Sequence, residues 1–194
     1  MSIPFHSLFP KNNTWKSFAL SIGADFIDGG FLHSDQINIH RNFYSINIRL
    51  GTNQRGNAGF MYTRFRCAYT SLQPLYFKIK KRGWFSSLFS YKQKQRHAIE
   101  QKYIISSNGL GILLSQKELW RRLDQLHSFK FVSEKDDGLY GPAFNTNEHQ
   151  LCLEILRELK DSQHLTNAIA IIDETMLVLL QSGHLIPQKL LVAY

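Results

Sequence analysis

Residues 59–69 read GFMYTRFRCAY. Their side chains alternate with a period of two, the signature of a strand with one face packed and one face wet. Thr63, Phe65 and Cys67 fall on one side, and Arg64 and Arg66, with Tyr62 beside them, on the other. Antiparallel sheets often keep such a solvated face, whereas strands of a parallel sheet read as near-continuous apolar runs. The two arginines have no carboxylate near them in sequence, so this strand raises the question of charge together with that of fold.

Working outward, residues 36–40 (QINIH) and 43–50 (FYSINIRL) alternate in the same way and predict two strands joined at Arg41-Asn42. Residues 51–58 (GTNQRGNA) carry loop chemistry throughout, and Asp25–Leu32 holds a Gly-Gly turn between two short extended pieces. After Pro74, residues 75–81 (LYFKIKK) form a strand with Lys78 and Lys80 on one face and Phe77 and Ile79 on the other. Pairing this strand with 59–69 as a hairpin would put four cations on one face. Asn108-Gly109 predicts a hairpin between 103–106 and 110–114, and Asp137-Gly138 another between 129–134 and 139–144. Residues 150–158 fit a strand through Leu151, Leu153 and Ile155 and a helix through Cys152, Leu156 and Leu159; the strand reading is preferred.

Three helices are expected. Thr14 caps one over 14–22, with Trp15, Phe18, Ala19 and Ile22 on one face and Gly23 at its end. Ser115-Gln116-Lys117-Glu118 is a capping box that opens a second, to about residue 127, burying Leu119, Trp120, Leu123 and Leu126. Ser162 caps the third, 162–182, in which Leu165, Ile169, Ile172, Met176 and Leu180 line a face before Gly183 stops it. Strands in runs with few, segregated helices predict an α+β fold, mainly antiparallel sheet with two or three packed helices. The 194 residues suit a single domain, with any subdivision near 107–115.

Composition narrows the class. Hydrophobic residues make up 43% and charged ones 20%, an ordinary globular balance. The two cysteines, Cys67 and Cys152, lack partners at metal-ligand spacing and lie in apolar patterns, which predicts a reduced compartment and no disulfide framework. No signal-peptide pattern opens the chain, and apolar runs fall short of the roughly 20 residues of a membrane span, so a soluble cytoplasmic protein is expected. The net charge is +8, and it is unevenly placed. No acidic residue lies between Asp35 and Glu100, against twelve basic ones, while the remainder carries eleven basic and fifteen acidic residues. A cationic middle between mildly anionic ends points to an anionic partner, or to acidic ends folded back over the middle.

Two groups of residues carry the charge argument. The strand residues Arg64, Arg66, Lys78 and Lys80, continued by Lys81 and Arg82, form a candidate anion-binding set, because Arg takes oxyanions bidentately and facing like charges need an offset. Solvation, or carboxylates from Glu118, Asp124, Asp136, Asp137 or Asp173, would offset them equally well. The second group is the basic aromatic stretch 80–96, KKRGWFSSLFSYKQKQR. Trp84, Phe85 and Phe89 between flanking cations suit an anionic lipid surface or nucleic acid, and equally one helical turn docked on the core.

Enzyme signatures are weak. Gly109-Leu110-Gly111 lacks the third glycine of a dinucleotide site, and none of the eight histidines forms a metal-ligating pair, so no metal or cofactor is expected. A triad assembled in space would escape sequence reading. Trp15-Lys-Ser-Phe-Ala19, Thr63-Arg-Phe-Arg66, the basic strand after Pro74 and the Leu-rich helix ending at Gly183 together resemble a family of uncharacterised bacterial proteins of about this size. The resemblance implies a bacterial, soluble α+β protein and brings no activity, cofactor or catalytic residue. The expectation is a non-catalytic binding module contacting nucleic acid, anionic lipid or acidic protein through its basic middle. The alternatives are peripheral membrane association through 80–96 and an enzyme with an unrecognised site.

Overall fold

A computed structural model of the chain describes residues 13–30, 33–55, 58–82, 98–135 and 147–187. Eight strands, β1 (Asp25–Ile27), β2 (Gln36–His40), β3 (Ser45–Arg55), β4 (Ala58–Thr70), β5 (Phe77–Lys81), β6 (Tyr103–Ser107), β7 (Phe129–Glu134) and β8 (Glu148–Ile155), form one sheet. Its order is β1-β2-β3-β4-β8-β7-β5-β6, and every neighbouring pair is antiparallel. Five helices lie among the described residues: α1 (Asn13–Ser21), α2 (Ala98–Lys102), α3 (Leu110–Leu114), α4 (Lys117–Asp124) and α5 (Ser162–Gln181). The fold is α+β.

The strand alternation assigns one face to the core. Ile48, Phe65, Leu153, Phe131, Ile79 and Ile105 stand opposite one another in a single row across six strands. All but the last are fully buried or nearly so. One buried cluster joins this row to Trp15, Phe18 and Ala19 of α1, to Leu119, Trp120 and Leu123 of α4, and to a stripe of α5 that includes Leu165, Ile169, Ile172 and Met176. Both buried indoles find acceptors: Trp15 Nε1 donates to the Leu159 carbonyl at 2.7 Å and Trp120 Nε1 to that of Leu113 at 2.8 Å.

The last strand in sequence lies at the centre of the sheet, between β4 and β7. This explains the double reading of 150–158. Leu151, Leu153 and Ile155 face the helices, yet Cys152 on the opposite face is also buried, so the apolar run lacks a wet register. The strand reading holds.

Several expectations are corrected. Residues 51–55 and 58 are strand, not loop: β3 and β4 pair from Ile46↔Cys67 to Arg55↔Ala58, and the ladder's hydrogen bonds override poor local propensity. A Cβ on Gly51 would lie 2.2 Å from the Tyr62 ring opposite, so a larger residue there displaces that ring. The hairpin of 59–69 with 75–81 does not form; β8 and β7 stand between the two strands. Residues 110–114 are helix, not strand. The Asn108 side chain instead ties the chain back, accepting from the Tyr76 backbone at 2.8 Å and donating to the Pro74 carbonyl at 3.1 Å. The capping box is absent: Ser115 closes α3 and donates to the Ile112 carbonyl, while Glu118 turns to Arg121 and Arg122. Asp161, not Ser162, caps α5 by accepting from the Gln163 backbone at 2.9 Å. Ile22 lies beyond α1 and is exposed. The expected strand 139–144 and the second extended piece at Phe31-Leu32 lie outside the described residues.

Candidate functional site: the cationic open face of the sheet

The face away from the helices is built by the other set of alternating residues. One cross-strand row runs Gln36, Arg49, Arg64, Glu154, Lys130, Lys80, Ile104. The next runs Asp25, Asn38, Asn47, Arg66, Cys152, Val132, Lys78, Ser106. Six cations from four strands thus share two adjacent rows with two carboxylates, Glu154 among them and Asp25 at the β1 end. At the ~4.8 Å strand spacing, Arg49 and Lys80 are about 19 Å apart.

Arg64 is the centre of this face and is only 3% exposed. Its Nε and Nη2 both donate to Glu154 Oε1, at 3.0 and 2.6 Å, and its guanidinium lies 5.0 Å from the Tyr62 ring centroid. Burial opposes the charge on Arg64, but the bond to Glu154 outweighs it and the pKa ends above the ordinary arginine value. The other Glu154 oxygen is 4.0 Å from Lys130 Nζ. Arg66 Nε donates to Gln150 Oε1 at 2.7 Å, a neutral acceptor. Arg49 differs: burial and then repulsion from Arg64 and Arg66 hold its pKa below the ordinary value. Lys78 and Lys80 are exposed. To the β2 side, Asn47 Nδ2 donates to Gln36 Oε1 at 3.1 Å and to Asn38 Oδ1 at 2.7 Å, which orders the polar margin.

Of the residues expected at an anion site, the sheet therefore brings Arg64, Arg66, Lys78 and Lys80 to one face and adds Arg49 and Lys130. It does not bring Lys81 or Arg82 there. Lys81 Nζ donates to the Leu126 carbonyl at 3.0 Å, and Arg82 Nε to the carbonyls of Glu100 and Tyr103 at 3.1 and 3.3 Å. Trp84, Phe85 and Phe89 lie outside the described residues, as do Asp136 and Asp137. Of the other carboxylates proposed as partners, Asp173 accepts from Arg41 and Tyr44, Asp124 from Lys102 and Tyr103, and Glu118 from Arg121. Glu154 takes the role instead. Sequence reading missed it because only the non-local register Arg64↔Glu154 sets it opposite Arg64.

Both thiols are free and buried, and burial pushes the Cys152 pKa up to about 11 and that of Cys67 further, so neither is a thiolate nucleophile. No group of three or more His, Cys, Asp or Glu able to hold a metal occurs among the described residues. No described helix is long and apolar enough to cross a membrane. No family model, no curated protein and no solved structure matches the chain.

Proposed function

We propose that the protein is a binding module, a single α+β domain that takes an anionic partner on the cationic face of its sheet. On this face Lys78 and Lys80 are exposed, while Arg64 lies buried at its centre. The observation that carries this reading is the register that sets Arg49, Arg64, Arg66, Lys78, Lys80 and Lys130 in two adjacent cross-strand rows. The summed field of these cations attracts the anionic partner. The two unbridged, buried cysteines support a reducing, cytoplasmic setting. Peripheral membrane association through 80–96 is the second reading, favoured by Trp84, Phe85 and Phe89 between flanking cations.

The test is fluorescence anisotropy with a labelled single-stranded oligonucleotide between 50 and 200 mM salt. If three phosphates are neutralised, log K falls against log salt with a slope of about −2. Lys78→Gln with Lys80→Gln reduces that slope by about 1.4 if each makes one contact. Salt-independent binding, or a double variant indistinguishable from the parent, refutes the reading; anionic vesicles in the same assay report the lipid alternative.

A further inference from the structure

Three neighbouring strands set a second constellation at the β1 edge of the sheet. His40 on β2 faces Ser45 on β3 in the ladder, and Asp25 on β1 pairs with Asn38, two residues from His40. Both imidazole nitrogens are engaged: Nδ1 lies 3.2 Å from Ser45 Oγ and Nε2 lies 3.1 Å from Asp25 Oδ2. An ionised carboxylate only accepts, so Nε2 carries the proton toward Asp25. In the neutral ring that leaves the lone pair on Nδ1, and Ser45 Oγ–H donates to it. The tautomer that readies an imidazole as general base toward a serine is thus selected by Asp25. Ser45 also lines a cavity of about 210 Å³ whose apolar part includes Phe43, Leu185 and Ile186 and whose polar part includes Thr70 and Glu148.

We propose that Ser45, His40 and Asp25 form a nucleophile–base–positioning relay that hydrolyses esters of short acyl groups, at the β1 end of the same sheet face and apart from its cations. Ser45 Oγ attacks the ester carbonyl carbon while its proton passes to His40 Nδ1, and the resulting imidazolium stays paired with Asp25. As the tetrahedral intermediate collapses, the bond to the leaving alkoxide breaks and that oxygen takes the proton from Nδ1. Water then attacks the acyl-Ser45 ester with His40 again as base, releasing the carboxylic acid and restoring the hydroxyl. The net reaction is ester plus water to acid plus alcohol, with no redox step. The cavity is smaller than the ~300 Å³ at which drug-sized pockets begin, which restricts it to acyl chains of a few carbons. The side chains of His40 and Asp25 are 60% and 69% exposed, so the base works in water. General-base assistance at the low end, about 100-fold, is expected on that account.

The experiment uses the full chain with p-nitrophenyl acetate, butyrate and decanoate, and a fluorophosphonate probe read by intact mass and peptide mapping. The expected result is one phosphonyl adduct at Ser45, acetate and butyrate turnover well above decanoate, and loss of about 100-fold in kcat in Ser45→Ala and His40→Gln. Asp25→Asn lowers kcat with KM unchanged, because the imidazole loses the partner that fixes its tautomer, and Asp25→Glu restores part of the rate; a purely structural role gives no such split and no rescue. All three side chains are on the surface, and unchanged circular dichroism verifies folding. Absence of a Ser45 adduct, or equal hydrolysis by Ser45→Ala and the parent, overturns the proposal. So does activity lost in His40→Gln but kept in Ser45→Ala, which makes the imidazole itself the nucleophile. Loss of oligonucleotide binding leaves this result untouched, since the two sites share no residue.

Discussion

Glu154→Gln is the sharpest perturbation available on the open face. Arg64 is 3% exposed and its two donors converge on one Glu154 oxygen, at 3.0 and 2.6 Å. Arg49 faces Arg64 directly in the β3–β4 ladder. Removing the charge of Glu154 leaves a buried guanidinium beside like charges, although the amide oxygen still accepts. Removing one partner of a buried pair costs about 3–5 kcal/mol, and the retained acceptor sets the expectation near the lower bound, ~3 kcal/mol. With an m-value of ~2 kcal/mol/M, the urea midpoint falls by about 1.5 M. Arg64→Met costs less, because the Glu154 side chain is 17% exposed and keeps Lys130 at 4.0 Å. The double variant Arg64→Met with Glu154→Leu recovers most of the loss, since a well-packed apolar pair replaces a buried ion pair at little cost. Urea unfolding followed by tryptophan fluorescence measures all three. A Glu154→Gln midpoint within ~0.25 M of the parent refutes the reasoning: at that m-value the pair would be worth less than ~0.5 kcal/mol, and Arg64 would owe its burial to other groups.

Two further predictions concern the covered side of the molecule. His149 is 3% exposed, its Nδ1 has no hydrogen-bond partner, and burial holds its pKa below the ordinary histidine value. The unfolded chain therefore binds a proton that the folded one resists, so stability falls as pH drops below ~6.5; His149→Phe flattens that fall between pH 7.5 and 5.5 in urea titrations. At the start of α5, Asp161→Ala lowers the thermal midpoint more than Ser162→Ala, because the Asp161 side chain makes the capping bond and also meets His164 at 2.7 Å; equal midpoints in calorimetry would contradict the assigned cap.

Residues 59–69 and the Leu-rich stretch of α5 were legible in the sequence because a period of two or of 3.6 is written into each segment and needs no distant partner. The same alternation set Arg64 and Arg66 on one face and Phe65 and Cys67 on the other. Where local chemistry and tertiary pairing disagreed, pairing prevailed. Residues 51–55 carry turn-forming side chains, yet β4 supplies their backbone partners. Asn108-Gly109 has a hairpin signature, yet Leu110–Leu114 turns into helix. The order of the strands was beyond local reading, since β8 reaches the centre from some 80 residues along the chain. That insertion separates β4 from β5, sets Glu154 against Arg64 and gathers Arg49, Arg66, Lys78, Lys80 and Lys130 around it. Alternation decides which face a side chain takes, being a property of neighbouring residues. Only long-range register decides which charges meet on that face.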